Sequence, residues 1–283
     1  MKLKVENLTK KFKKIKVLNN LNISIESNGI YCLLGRNGAG KTTLLKIISG
    51  YIPKYEGNIY IDNIKIPKGQ IPKNLCFIEE KVKQLNKPIK ELYKISSTFY
   101  ENWDYELANE LSEKFNLDLN QKFKKLSFGM QTITNSIIAL CSNSKITLLD
   151  EPMLGFDSIL REQFYESIIE SYQRSPKLII ISTHLIDEIA NYCEKVMIMN
   201  SGKIILNETI ENINEKSFSI IGEAKEVENA IKDLNILSKE YVSNYMHATL
   251  YDENTQNLTG NFNIEKISLQ KLFGKMVGGK TNE

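Results

Sequence analysis

The sequence predicts an α/β fold built on a parallel β-sheet, and three observations support this prediction. Short apolar runs without polar alternation occur at IYCLL (residues 30–34), ITLL (146–149) and LIIIS (178–182). Such runs are typical of strands that are buried on both faces, as in parallel sheets. Segments with helical periodicity separate the runs, and a glycine-rich loop joins the first run to a helical segment. Alternating strands and helices of this kind form a layered α/β architecture.

The remaining strands and the helices follow along the chain. Apolar runs predict four further strands, at residues 3–8, 22–25, 58–61 and 75–78. After the last of these runs, apolar residues recur at three- and four-residue steps in KELYKISSTFY and YELANELSEKFNLDL, which predicts helices alone. We therefore expect an inserted helical subdomain at about residues 87–140.

A weak boundary near residue 214 divides the predicted chain into two domains. The larger domain comprises residues 1–214, and a small α+β domain comprises residues 215–283. In the small domain SFSII predicts a strand, AKEVENAIKDL a helix, and SLQKLFGKM a last helix after further strands.

Composition restricts the classes of function. The 283 residues are 42% apolar and 25% charged, as in ordinary globular proteins. The formal charge of +3 argues against dedicated nucleic-acid binding, and the five lysines between residues 10 and 16 are interpreted as a solvated basic face. Four scattered cysteines without CxxC spacing predict reduced core thiols in a cytosolic protein. The start lacks the apolar core of a signal peptide, and no apolar run approaches the ~20 residues that span a bilayer, so a membrane role would require a partner.

The loop GRNGAGKTT has the strand, glycine loop and helix context of a phosphate-binding site. Its glycines allow close backbone approach, and exposed N–H groups at a helix start would cradle a polyphosphate. Lys41 would place its ammonium near the β- and γ-phosphates, and the Thr42 hydroxyl would ligate Mg²⁺. By itself the motif leaves open a kinase, a GTPase or another nucleotide enzyme. The residues expected at the phosphates are Gly35, Asn37, Gly38, Gly40, Lys41, Thr42 and Thr43.

Two other strand ends carry candidate catalytic residues. ITLLDEP delivers Asp150 and Glu151 to the carboxyl edge of the sheet, where open α/β sheets bind ligands. Asp150 would hold the magnesium, and Glu151 would act as the general base on the attacking water, although adjacent acids also occur in solvated turns. His184, in STH, would hydrogen-bond the γ-phosphate and the water, or would serve as a structural histidine. His247 has no such context, and we assign it no role.

These motifs together resemble the ATP-binding cassette (ABC) family, the nucleotide-hydrolysing subunits of ABC transporters. GRNGAGKT, LSFGM, ITLLDEP, LGFD and STH occur in the family's order, and the resemblance covers about residues 1–214. It implies an ABC-type P-loop domain that binds ATP and Mg²⁺ and dimerises head to tail on ATP. Ser127 and Gly129 would then bind the γ-phosphate held by the Lys41 loop of another subunit. A hydroxyl and free N–H groups at a positive helix end suit that role.

The resemblance implies further roles and also shows departures. Asp157 would link the two sites across the dimer, and Phe12 would stack on adenine. Phe128 stands where the family usually has glycine, and Met130 where it often has glutamine. Glu80 stands where a glutamine reaches Mg²⁺ and the attacking water, although the adjacent Glu79 leaves this register open by one residue. Glutamate at this position, like the carboxyl extension, resembles ABC exporters of lantibiotics and related peptides.

We therefore expect an ATP-hydrolysing subunit that drives a separate integral membrane protein, most simply an exporter of peptides or antimicrobial compounds. It would be cytoplasmic and held at the inner face of the membrane by that partner, paired with an identical or a different ATPase subunit. The rivals are a soluble ABC ATPase acting on ribosomes or nucleic acid, and an ATP-binding regulator without turnover. In the helical subdomain Trp103 and Tyr105 are the candidates for docking the membrane partner, whereas Tyr93 and Phe99 are expected in the core.

Restoring glutamine with Glu80→Gln should change the Mg²⁺ dependence or the turnover of ATP hydrolysis, because it removes a negative charge beside the γ-phosphate. ATPase rates measured across a Mg²⁺ titration provide the test. Glu79→Gln is the matched control, since it decides the register between the two glutamates. Wild-type kinetics in both variants would show that neither charge matters.

Overall fold

The computed structural model describes residues 1–79, 85–253 and 258–278. The chain forms two compact units, each with its own buried core. The first unit comprises Met1–His184 and Tyr192–Asn207, and the second comprises Leu185–Asn191 and Glu208–Glu283. The second unit thus takes in a short segment from the middle of the chain and begins a few residues before the boundary expected near residue 214.

A six-stranded sheet is the centre of the first unit, with strand order β10-β9-β3-β8-β7-β6. Strand β3 pairs in parallel with β8 and β9, and β7 pairs in parallel with β6 and β8. The predicted buried strands are confirmed, because every residue of β3, β7 and β8 is buried. The bounds are β3 Gly29–Leu34, β6 Leu75–Ile78, β7 Ile146–Asp150, β8 Leu178–Thr183, β9 Lys195–Asn200 and β10 Lys203–Thr209.

Three of the predicted strands belong to a separate antiparallel sheet with strand order β2-β1-β4-β5. Only Lys13 and Lys14 connect β1 to β2, and Lys13 has a φ of 53°. Two residues can close a hairpin, whereas a parallel crossover needs a dozen or more, so these strands must run antiparallel. The bounds are β1 Leu3–Phe12, β2 Ile15–Ile25, β4 Glu56–Ile61 and β5 Ile64–Lys65.

Within the described residues, five α-helices complete the first unit. Helix α1 (Lys41–Ile48) follows the glycine loop, and α5 (Ser158–Arg174) lies between β7 and β8 in the chain. The predicted helical subdomain contains α2 (Ile89–Phe99), α3 (Tyr105–Lys114), a 3₁₀ turn (Phe123–Lys125) and α4 (Phe128–Cys141).

The aromatic residues of the helical subdomain only partly follow the prediction. Tyr93 is buried and its hydroxyl lies 3.0 Å from Ser112 Oγ, as expected of a core residue. Phe99 is 77% exposed, so its assignment to the core was wrong. Six residues separate the two, which turns the helix by about 240° and places Phe99 on another face. Trp103 is partly buried between Tyr93 and Tyr105, and only Tyr105 of the two docking candidates is exposed.

The second unit has the α+β composition that the sequence predicts. Its antiparallel sheet has strand order β12-β13-β11-β14, and Ile220, Met246 and Leu250 pack with Val227 in its core. Helix α6 contacts α9 in this unit, and the Gln270 N–H donates to Asp187 Oδ1 at 3.0 Å. The bounds are α6 Ile186–Ala190, α7 Ile210–Lys216, β11 Ser217–Glu223, α8 Ala224–Ala230, β12 Ile236–Val242, β13 Tyr245–Tyr251, β14 Phe262–Lys266 and α9 Leu269–Val277.

Two composition-based expectations can be compared with the structure. Within the described ranges, no helix has both the length and the apolar character required to cross a bilayer. All four cysteines are buried and form no disulfide, as predicted for core thiols.

Candidate functional site

Three neighbouring strand ends bring the predicted catalytic segments to one edge of the central sheet. Strand β3 leads into Gly35, β7 into Glu151 and β8 into His184. The register places Leu34 beside Thr183 and Asp150 beside Ser182, so the three strands end at the same level. The Glu151 N–H extends the ladder by donating to Ser182 O at 2.9 Å. Parallel pairing thus gathers residues that are distant in sequence.

The glycine loop presents backbone N–H groups at the start of α1. Gly38 and Gly40 have φ values of 84° and 109°, in the left-handed region that favours glycine. The first helical bond runs from the Leu44 N–H to Gly40 O, so the N–H groups of the first turn lie ahead of the ladder. Free N–H groups at the positive end of a helix form an anion site. Asn37, Gly38 and Thr42 are exposed around it, and Thr43 is half-buried.

Lys41 is held inside this loop. Its side chain is only 7% exposed, and its ammonium donates to Gly35 O at 2.7 Å. The same nitrogen lies 3.8 Å from Glu151 Oε1. The cation therefore joins the phosphate loop to the acidic strand end.

Glu151 forms the centre of the site. His184 Nδ1–H donates to Glu151 Oε2 at 2.9 Å, while the His184 ring remains 55% exposed. Burial raises the pKa of the Glu151 carboxyl above its usual range, and His184 and Lys41 oppose that rise. Glu151 also adopts a φ of 49°, which is uncommon for a residue with a side chain. A base with a raised pKa, fixed by a histidine, can accept a proton from water.

Asp150 provides the fit expected of a magnesium ligand. It is 3% exposed, and its Oδ1 atom has no hydrogen-bond partner in the structure as described. A buried carboxylate oxygen without a partner suits a hard cation, and the exposed Thr42 hydroxyl lies on the first turn of α1. Among the described residues, no group of three or more His, Cys, Asp or Glu side chains is arranged to hold a metal ion.

Of the two adjacent glutamates after β6, only Glu79 lies within the described residues. Glu80, the predicted third magnesium-side residue, lies outside the described residues. Glu79 directly follows β6 and forms an ion pair with Lys46 of α1 at 2.5 Å. Ile78 of β6 pairs with Leu149 of β7, so the ends of these two strands lie side by side.

The LSFGM segment starts α4, and its contacts are with the turn after β7. Ser127 is exposed and caps the helix by accepting from the Met130 N–H at 3.3 Å. A Cβ atom on Gly129 would lie 3.4 Å from Gly155 O, so the helix start approaches that turn closely. Asp157 caps α5 by accepting from the Leu160 N–H at 2.8 Å. Ser127, Gly129 and Asp157 thus form a second group of predicted site residues.

Phe12 lies at the end of β1 with its ring half-exposed. The Lys10 ammonium lies 4.5 Å from the ring centroid and also donates to Lys54 O at 2.6 Å. A cation over one face leaves the other face of the ring for a planar ligand. The interpretation of Lys10 as part of a solvated basic face was wrong, because Lys10 is only 8% exposed. Its two-residue spacing from Phe12 along a strand is the signal that places both side chains on one face.

A cavity of 780 Å³ is a further feature that the motifs did not predict. Its wall includes apolar and aromatic residues from the α1 end, the approach to β6 and the end of α2. These residues are Tyr51, Ile71, Phe77, Phe99 and Tyr100. Tyr51, Ile71 and Phe99 are exposed, so the cavity opens beside an apolar surface patch.

Comparison with known proteins gives a consistent result. Residues 18–154 match the family described as ABC transporter. The chain is 36% identical over 217 residues to an uncharacterized ABC transporter ATP-binding protein of Methanocaldococcus jannaschii, covering 76% of this chain and 80% of that protein. It is 32% identical over 219 residues to the lantibiotic transport ATP-binding protein SrtF of Streptococcus pyogenes, covering 75% and 94%.

A solved structure shows the same fold. It is the dimeric, post-hydrolysis state of an ATP-binding cassette bound to ADP and Pi. The TM-score is 0.63 at 24% identity, over 74% of this chain and 98% of that chain.

Replacing Lys41 with alanine should weaken ATP binding by ~10- to 100-fold, because a charge-assisted hydrogen bond to phosphate contributes about 1.5–3 kcal/mol. Titration calorimetry measures the affinity, and circular dichroism verifies that the variant folds. Lys65→Ala, which changes an exposed lysine of β5, is the matched control. Unchanged affinity in Lys41→Ala would refute the assignment of Lys41 to the phosphates.

Proposed function

The chain belongs to the ABC transporter family as an ATP-hydrolysing subunit, and we propose that Glu151, His184 and Lys41 perform the hydrolysis in a site completed by a second such subunit. The observation that carries this proposal is the arrangement around Glu151. One carboxylate oxygen accepts from His184 at 2.9 Å, and the other lies 3.8 Å from the ammonium of Lys41. A general base, an orienting histidine and a phosphate-binding cation are thus in mutual reach.

In this proposal Glu151 removes a proton from the attacking water. The water oxygen forms a bond to the γ-phosphorus, the bond from that phosphorus to the β–γ bridging oxygen breaks, and the proton goes to the Glu151 carboxylate. With its Nδ1 proton directed to Glu151, His184 can use Nε2 to accept from the water, or to donate to a phosphate oxygen when the ring is protonated. Lys41 offsets negative charge on the phosphates.

Asp150 and Thr42 would hold Mg²⁺. When bound, the ion would neutralise charge on the β- and γ-phosphates. The buried Asp150 Oδ1 without a partner supports this assignment.

The second subunit would supply Ser127 and Gly129. Both lie at the start of α4, where a hydroxyl and the positive helix end can bind phosphate oxygens. Phosphate bound at Lys41 would then be contacted from both sides, and ATP would hold the two subunits together. Asp157 is exposed on the same surface region, because its turn contacts Gly129 through Gly155. Phe12 would stack on the adenine with the ring face opposite Lys10.

A membrane protein would dock at the exposed apolar residues Tyr51, Ile71 and Phe99 on the rim of this cavity. An exposed phenylalanine at the rim of a 780 Å³ cavity is suited to anchor an apolar segment of a partner. This groove replaces Trp103 as the favoured docking site, while the exposed Tyr105 remains available at its helix. The subunit would thereby reside at the cytoplasmic face of the membrane. The relative named for lantibiotic transport supports export of peptides or antimicrobial compounds.

Replacing the base with Glu151→Gln should preserve ATP binding and reduce turnover by ~100-fold or more, since general-base catalysis contributes about 10²–10⁴-fold. The base must be deprotonated to act, so a raised pKa moves the acid limb of the kcat/KM profile above the pH expected of an ordinary glutamate. Steady-state ATPase rates across pH measure both effects. A fully active variant, or an acid limb at the ordinary carboxylate pKa, would contradict the assignment.

Docking can be tested by mild-detergent purification of the tagged protein from its own cells, with co-purifying proteins identified by mass spectrometry. We expect a multi-span membrane protein with the wild type and its loss with Phe99→Asp. Ile64→Asp, which changes a similarly exposed apolar residue on β5, is the matched control. Recovery of ribosomes or nucleic acid without a membrane protein would instead favour the soluble ABC ATPase.

A further inference from the structure

Phe128 occupies the position where the family usually has glycine, and its ring lies close to the turn that follows β7. A Cβ atom on Gly155 would lie only 2.9 Å from Phe128 Cδ1. Gly155 has a φ of 86°, so both its conformation and the ring above it require glycine. Phe128 nevertheless remains 45% exposed, and its ring atoms nearest the Gly155 Cβ position are Cδ1 and Cε1.

The turn under Phe128 is continuous with the proposed base. The Leu154 N–H donates to Glu151 O at 3.3 Å, which closes the turn between Glu151 and Gly155. On the far side the Phe156 ring packs edge-on against Phe164 at 5.7 Å between centroids, and Arg161 donates to Phe156 O at 2.9 Å. The downstream half is therefore anchored in α5, whereas Gly155 is exposed and lies close to the Phe128 ring.

Glu151 depends on this turn for its conformation. Its φ of 49° is unfavourable for a residue with a side chain and persists only when neighbouring contacts fix it. The contacts of the backbone are the Glu151 N–H to Ser182 O and Glu151 O to the Leu154 N–H. Phe128 lies close to Gly155, the residue directly after the second of these contacts.

We propose that Phe128 is a positioning residue that holds the turn from Glu151 to Gly155 and thereby fixes Glu151 of its own chain for catalysis. This inference rests on the proposed function, because it assigns Glu151 as the base. It gives the LSFGM segment two roles at once. Ser127 and Gly129 serve the phosphates of the partner, and Phe128 connects the same helix start to the base of its own site.

The first test compares Phe128→Ala with Phe128→Tyr in steady-state ATP hydrolysis. We expect Phe128→Ala to lower kcat by ~10- to 100-fold with little change in KM, as misplacement of a catalytic group does. Phe128→Tyr retains the ring and should restore the wild-type kcat. Ile64→Ala, on the exposed side of β5, is the control for loss of a surface apolar side chain. Equal kcat in Phe128→Ala and wild type would overturn the proposal.

A mixing experiment separates an effect on the same chain from an effect on the partner's phosphates. Phe128→Ala is mixed with a large excess of Lys41→Ala, so that almost every Phe128→Ala chain pairs with a Lys41→Ala chain. In such a pair the one competent phosphate loop belongs to the Phe128→Ala chain, and the Lys41→Ala chain supplies an intact LSFGM segment to it. Slow turnover, relative to wild type in the same excess, supports positioning of Glu151 in its own chain. Turnover equal to that reference would mean that Phe128 acts only on the partner's phosphates, which would overturn the proposal.

Hydrogen exchange without nucleotide tests the structural step alone. The Leu154 amide should exchange faster in Phe128→Ala than in wild type, and at the wild-type rate in Phe128→Tyr and Ile64→Ala. Unchanged exchange in Phe128→Ala would refute the support of the turn, whatever the kinetics show. If the wild-type chain itself lacks ATPase activity, the proposed function and the catalytic part of the inference fail, while this measurement still decides whether Phe128 supports the turn.

Discussion

The parallel pairing of β3, β8 and β7 is the constraint on which the site depends. It sets Leu34 beside Thr183 and Asp150 beside Ser182, so that the loop, the acids and the histidine begin at one level. A one-residue slip would displace each functional segment by about 3.3 Å relative to the next strand and carry it away from the other segments. The apolar runs therefore specify the geometry of the chemistry as well as the stability of the core.

Glu151 shows how this arrangement balances opposing effects. Burial disfavours its charged form and raises its pKa, while His184 and Lys41 favour that form. ATP phosphates would compete with Glu151 for the Lys41 ammonium, because one cation serves both. Nucleotide binding would then withdraw a stabilising charge from the carboxylate and make it a stronger base.

Local sequence patterns predicted much of this structure, and the features that they did not predict have different causes. The buried runs and the order of strand, glycine loop and helix around GRNGAGKTT are local patterns, and each appears where expected. Phe99 was misplaced because its face depends on the exact helical rotation from Tyr93. The separate antiparallel sheet was missed, although the two-residue connection between β1 and β2 signals a hairpin. The contact of Phe128 with Gly155 could not be predicted, since it joins segments on different elements. The roles of the site residues remain predictions that the proposed variants test.

The segment Leu185–Asn191 has a consequence for how the two units can be separated. His184 belongs to the first unit, and the next seven residues belong to the second. Ile186 and Ile189 are buried there, and Asp187 accepts from the Gln270 backbone. A chain shortened after Asn207 would therefore expose two isoleucines close to His184 in the sequence. No single cut yields an intact first unit, so a chimera that exchanges the second unit must also exchange the helix after His184.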